Sequence, residues 1–222
     1  MITLREVLAA DGKKLQGTRV AIQGFGNVGS WLARFLHEEG AKVVAVSDVT
    51  GGIFNGDGLD IPKVVEHLAQ TKRVTGFPNA EHLAPGELLA VECDVLAPCA
   101  LGHVLDQGTA RAVKAKYVLE GANGPCTLEG DQVLQERGIV CIPDILTNAG
   151  GVTVSYFEWT QNIQQLAWSE LDVDQRLEKI MVAAHAAVQR VRREYNCTLR
   201  TAAFILGIAR VKEATDARGL DG

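Results

Sequence analysis

Val20-Ala21-Ile22-Gln23-Gly24-Phe25-Gly26-Asn27-Val28-Gly29 is the stretch on which the fold turns. A short apolar run leads directly into G-x-G-x-x-G. Residues 30–39 then alternate apolar and polar groups at helical spacing before Gly40. The pattern reads as strand, tight turn, helix and helix stop. Each glycine has its own reason. The first permits the sharp turn, the second lets a pyrophosphate approach the backbone, and the third lets the helix lie close on its strand. The start of that helix offers N–H groups and partial positive charge to an anion.

Downstream, a second strand over residues 43–46 ends at Ser47-Asp48. Asp48 stands 19 positions beyond Gly29 (48 − 29), where a carboxylate meets the adenosine ribose of a bound dinucleotide. Upstream, residues 3–15 read as an amphipathic helix carrying Leu4, Val7, Leu8 and Leu15, weakened at its end by Gly12. Residues 51–58 are rich in glycine and read as turn. A helix over 61–69 has Pro62 in its first turn, and the poorly periodic stretch 71–91 has room for one short strand and one short helix.

Strand candidates at 93–96, 117–120 and 139–142 alternate with helices at 106–114 and 130–137. That alternation predicts an α/β fold: a doubly wound, mostly parallel Rossmann sheet with C-terminal helices. Ligands of such sheets bind at the carboxyl ends of the strands. Those ends carry the glycines, Asp48, Ala97-Pro98-Cys99, Gly121-Ala122-Asn123 and Asn148. In the last third, Val173, Leu177, Ile180, Met181, Ala184, Val188 and Val191 form a helical stripe, and Thr198 is placed to cap a final helix that ends before Gly219. The expected organisation is one dinucleotide-binding domain over residues 1–222, with 156–219 as a helical extension.

Composition narrows the function classes. The 222 residues are 47% hydrophobic and 22% charged, which supports an ordinary core. A net charge of −5 without a long basic stretch argues against nucleic acid as a partner. The absence of an apolar run of about 18 residues and of a signal peptide points to a soluble, cytoplasmic protein with no membrane partner. Cys93, Cys99, Cys126, Cys141 and Cys197 form no C-x-x-C pair and read as reduced thiols. The five histidines show no metal-ligand spacing, so no metal site is expected.

Three segments carry a family resemblance. They are residues 22–29, Glu120-Gly121-Ala122-Asn123-Gly124-Pro125, and residues 143–162, which include Asn148-Ala149-Gly150-Gly151-Val152-Thr153-Val154-Ser155. Together with Leu199-Arg200-Thr201-Ala202-Ala203-Phe204, the chain from about residue 3 to 219 resembles the carboxy-terminal NAD(P)-binding domain of the glutamate dehydrogenase family, which includes leucine, phenylalanine and valine dehydrogenases. The resemblance implies that Gly24, Phe25, Gly26, Asn27, Val28 and Gly29 hold the pyrophosphate and Asp48 the adenosine ribose. Ala97, Cys99 and Ala100 would line the dinucleotide path, with Gly121 and Ala122 beside Asn123. Asn123 would bond the nicotinamide ribose, and Asn148 would lie near the nicotinamide and substrate. Val152 and Ser155 match positions lining the amino-acid side-chain pocket, where a serine hydroxyl would give the distal carboxylate of glutamate a charge-assisted hydrogen bond.

The implied reaction is the reversible oxidative deamination of L-glutamate to 2-oxoglutarate and ammonia, part of amino acid metabolism. The family's catalytic lysine and aspartate lie in an amino-terminal domain, in glycine-rich contexts that none of this chain's lysines shares. No catalytic residue is therefore expected here, the fragment alone is expected to be inactive, and the full-length enzyme is expected to be a homo-hexamer. Asp48 favours NAD because its charge repels a 2′-phosphate, while NADP stays open because some NADP-using members keep an acid there. Two other readings remain: a leucine, valine or phenylalanine dehydrogenase domain, and a non-catalytic nucleotide-binding regulatory subunit.

Overall fold

In the computed structural model, which describes residues 1–219, Val20, Ala21 and Ile22 are fully buried in the central strand of a sheet. That strand, β1 (Arg19–Gln23), follows helix α1 (Ile2–Ala10) and leads into α2 (Asn27–Glu38). The chain continues through β2 (Lys42–Asp48), β3 (Gly51–Phe54), α3 (Ile61–Thr71) and β4 (Glu81–Leu83). A 3-10 turn over Glu87–Ala90 precedes β5 (Val95–Pro98), α4 (Gln107–Ala112), β6 (Tyr117–Leu119), α5 (Leu128–Glu136) and β7 (Val140–Ile142). Among the described residues the sheet has seven strands in the order β4-β3-β2-β1-β5-β6-β7. The β2-β1-β5-β6-β7 block is parallel, and β3 and β4 add antiparallel at one edge.

The expected doubly wound, mostly parallel α/β Rossmann sheet is therefore present. Sequence order runs outward from β1 in both directions, so the carboxyl ends of β1 and β5 flank a topological switch point, where such sheets bind ligands. One face of the sheet is packed with Ala21, Ala45, Leu96 and Val118 against Leu88, Leu105, Val113, Val133 and Leu134. On the other face Gly29 of α2 lies against Ile22, and α2 also packs on α3.

Several local expectations need correction. Residues 3–15 are not one helix: α1 stops at Ala10, where the N–H groups of Asp11, Gly12 and Lys13 turn back onto carbonyls of the last helical turn. Leu15 is still buried, from the loop that follows. Residues 51–54 are strand rather than turn, because Val49 and Thr50 make a two-residue hairpin that lays β3 on β2. Gly51 has φ 133, and a Cβ there would crowd the Leu83 carbonyl at 3.0 Å. Glycine thus marks close strand packing here, which composition cannot distinguish from a turn. Helix 106–114 is shortened to α4, capped at Asp106 by a reciprocal bond pair with Thr109. The stretch 71–91 holds the expected short strand and short helix, as β4 and the 3-10 turn.

The chain divides into two compact units, the first made of Met1 and Thr3–Asp144 and the second of Ile2 with the residues from 145 onward. The second contains α7 (Ala149–Gln164), α8 (Glu170–Tyr195) and α9 (Leu199–Ala217), preceded by the short α6 (Asp144–Thr147) that starts at the boundary. The α8 stripe packs on α9 and α7, with Met181, Val188, Val191, Leu199 and Ala202 buried. Ser169 caps α8 through a reciprocal pair with Asp172, and Thr198 caps α9 as expected. Regular helix begins at Ala149, seven residues before the expected start of the helical extension at 156 (156 − 149).

Candidate functional site

The glycine turn is built from its backbone. Gly24 has φ 93, a left-handed conformation, and a Cβ there would lie 2.5 Å from that of Ala100. The turn is held by the Gly24 N–H, which donates to the Ser47 carbonyl at 2.9 Å. Gly29, fully inside, leaves no room for a side chain under Gly24. Gly26 is different: it is the N-cap of α2, is exposed, and a Cβ there would meet nothing within 4 Å. No side chain caps α2, so its first N–H groups face outward from an open glycine. Just before the turn, Gln23 Oε1 is buried without a hydrogen-bond partner among the described residues. The uncapped start of α2 behind an open glycine fits an anionic diphosphate ligand.

Asn27 and Val28 are exposed at the helix start, Val28 to 52%. Phe25 is only 3% exposed, so it offers the site main chain and contributes its ring to the core.

Asp48 ends β2 with both carboxylate oxygens engaged. Its Oδ1 accepts from the Thr50 N–H at 2.7 Å and the Thr50 hydroxyl at 2.6 Å. Its Oδ2 accepts from the Val74 N–H at 2.7 Å. Each carboxylate oxygen has two lone pairs, so the group is oriented and keeps acceptor capacity. The Val74 bond also ties the segment after α3 to this acid, a link that sequence spacing does not reveal.

The β5 end supplies the opposite side of the switch point. Ala97 is fully buried and shapes the site only from beneath, whereas Ala100 is exposed. Burial pushes the Cys99 thiol up to about 12, so it is neutral at physiological pH and is no nucleophile. Gly121 lets the end of β6 pass this sulfur, since a Cβ there would approach Cys99 Sγ to 2.6 Å. The Gly121 and Ala122 N–H groups both donate to the Pro98 carbonyl, at 3.0 and 2.9 Å. The following Asn123 is exposed at the loop tip. The first unit thus brings the glycine turn, the β5 end and the β6 loop to the carboxyl edge of one sheet.

In the second unit, Asn148 precedes α7 and is exposed, with no side-chain capping bond to that helix. Val152 (71% exposed) and Ser155 (exposed) follow on α7, three positions apart and so on one face. Ser155 is the seventh residue of its helix, not a helix-start serine.

Three participants escaped the sequence reading. Thr50 had a signal, since Asp-x-Thr is a local turn pattern in which the side chain bonds two residues on. Val74 and Asp144 had none, because their bonds to Asp48 and to the β6 loop cross more than a dozen residues of chain.

The glutamate/leucine/phenylalanine/valine dehydrogenase family matches residues 1–219 of the chain. A glutamate dehydrogenase of Thermotoga maritima is 47% identical over 216 residues, covering 97% of this chain and 51% of that protein. The crystal structure of hetero-hexameric glutamate dehydrogenase from Thermus thermophilus, in a leucine-bound form, superposes with a TM-score of 0.92 at 33% identity, over 98% of this chain and 51% of that one. Glutamate dehydrogenase from Peptoniphilus asaccharolyticus gives 0.85 at 35% identity, over 99% and 51%. The chain spans about half the length of the relatives it matches.

Proposed function

This chain belongs to the glutamate/leucine/phenylalanine/valine dehydrogenase family of oxidoreductases, and on that premise we propose that it is the NAD-binding domain of a glutamate dehydrogenase. The observation that carries the reading is the uncapped start of α2 behind Gly26, where nothing fills the space a Cβ would take. The Gly24–Gly29 turn holds the pyrophosphate by main-chain N–H groups and the helix dipole. Asp48, oriented by Thr50 and Val74, accepts from the adenosine ribose. Asn123 bonds the nicotinamide ribose, and Asn148 contacts the nicotinamide side of the site. When bound, the nicotinamide would supply a hydride acceptor for the α-carbon of glutamate, whose oxidised imine water would hydrolyse to 2-oxoglutarate and ammonia. Val152 and Ser155 select the substrate: the Ser155 hydroxyl donates to its distal carboxylate, which an apolar side chain would leave poorly solvated.

We assign no catalytic acid or base to these residues, so the 222 residues on their own are expected to bind coenzyme without turnover. The whole enzyme assembles as a hexamer. Calorimetric titration of the chain with NAD tests the reading. Binding that disappears when Gly26 is replaced by a bulkier residue supports it, and no heat at millimolar NAD overturns it. NADP is the second coenzyme to be tested. A parallel NADP titration decides between them.

A further inference from the structure

The loop that carries Asn123 is bound from several directions. Beyond the two bonds to Pro98, the Gly124 carbonyl accepts from the His103 N–H at 2.8 Å and the Pro125 carbonyl from the Leu105 N–H at 2.9 Å. Gly124 itself adopts φ 54, a left-handed conformation. The Gly124 N–H donates to Asp144 Oδ2 at 2.8 Å. Asp144 is in turn held by its own N–H, which donates to Glu120 Oε2 at 2.9 Å. Glu120 follows β6 directly, donates its backbone N–H to the Ile142 carbonyl at 3.1 Å, and is 0% exposed.

A carboxylate with no exposure is expensive to bury where an apolar side chain would pack without that penalty. Here it does something an apolar side chain cannot: it fixes Asp144, two residues past β7, against the residue that directly follows β6. The Asp144 carboxylate then reaches back to the loop that leaves β6. Two acids thus close a ring from strand end to helix start to loop tip.

We propose that Glu120 and Asp144 are positioning residues for the nicotinamide half of the coenzyme, acting through the Gly124 N–H to set where Asn123 presents its amide. The proposal rests on the dinucleotide reading above. Neither acid touches the ligand; both act through the loop.

The full chain is examined as wild type and as Asp144→Ala, Asp144→Asn and Glu120→Gln. Two readouts are taken: amide exchange of the 121–125 segment without nucleotide, and affinities for NAD and for ADP, which lacks the nicotinamide half. Asp144→Ala is expected to speed exchange at Gly124 and weaken NAD by roughly tenfold, the scale of one lost hydrogen bond to a charged group, while ADP stays within about twofold. Asp144→Asn keeps an acceptor oxygen and restores most of both, and Glu120→Gln, which keeps the acceptor for the Asp144 N–H, behaves like wild type. Unchanged exchange at Gly124, or equal weakening of NAD and ADP by Asp144→Ala, overturns the relay while leaving the coenzyme reading intact. A wild-type chain that binds neither nucleotide overturns the coenzyme reading, and the positioning role with it.

Discussion

Gly29 lies so closely beneath Gly24 that a Cβ on Gly29 would overlap the Gly24 carbonyl oxygen, whereas a Cβ on Gly26 would meet nothing. The two glycines therefore separate folding from binding. Gly29→Ala is expected to destabilise the chain by about 1–3 kcal/mol or more, as overpacking does. Gly26→Ala is expected to change stability by less than about 1 kcal/mol, the scale of a cap-residue exchange, and still to weaken NAD at least tenfold. Urea midpoints and calorimetry on both variants check this; wild-type NAD affinity in Gly26→Ala would mean that the pyrophosphate sits elsewhere.

Asp48 joins the β2–β3 hairpin to the segment after α3 through Thr50 and Val74. Asp48→Ala should cost about 1–3 kcal/mol of stability by leaving donors unmatched. It should also weaken NAD and narrow the preference for NAD over NADP, since the repelling charge is gone. Paired titrations report the ratio. A ratio equal to that of wild type would assign the ribose contact to another residue.

Cys93 and Cys99 are both pushed up to about 12, chiefly by burial. Neither should react with iodoacetamide at about pH 8 until urea unfolds the chain. The linkage has a definite sign. Because the folded pKa lies above the ordinary 9.0, the unfolded chain releases these protons first, so stability falls as pH rises from about 9 towards about 12. Cys99→Ser should flatten that fall between about pH 9 and 11 in urea titrations. An identical slope would show that the thiol does not couple to folding.

Tyr117, at the amino end of β6, donates its hydroxyl to Asp11 Oδ2 at 2.6 Å and accepts from Lys13 Nζ at 2.8 Å. This clamp ties the segment after α1 to the sheet at the end away from the glycine turn. Tyr117→Phe should lower stability by about 1–2 kcal/mol and leave NAD affinity unchanged. A change in NAD affinity would reveal coupling between the two sheet ends.

Much of the first unit was legible because its signals are local. The turn glycines are marked by their spacing between strand and helix, although Gly24 also meets Ala100 across the sheet, and Asp48 follows from strand spacing. The Gly51-Gly52 pair misled because a glycine that permits a turn and a glycine that permits strands to approach look alike in composition. Ser155 was legible as a residue of interest, but its seventh place in α7 depended on where that helix begins.

The sequence by itself determined the strand–turn–helix unit, the alternation that builds a parallel sheet, and the acid at the end of β2, since periodicity and backbone preference act over a handful of residues. Only the tertiary structure decided that Val74 would orient Asp48 and that Glu120 would hold Asp144, at separations of 26 and 24 residues. Those bonds exist because strand order and crossover geometry bring remote backbone N–H groups to carboxylates at the strand ends, and no local pattern encodes which donor arrives.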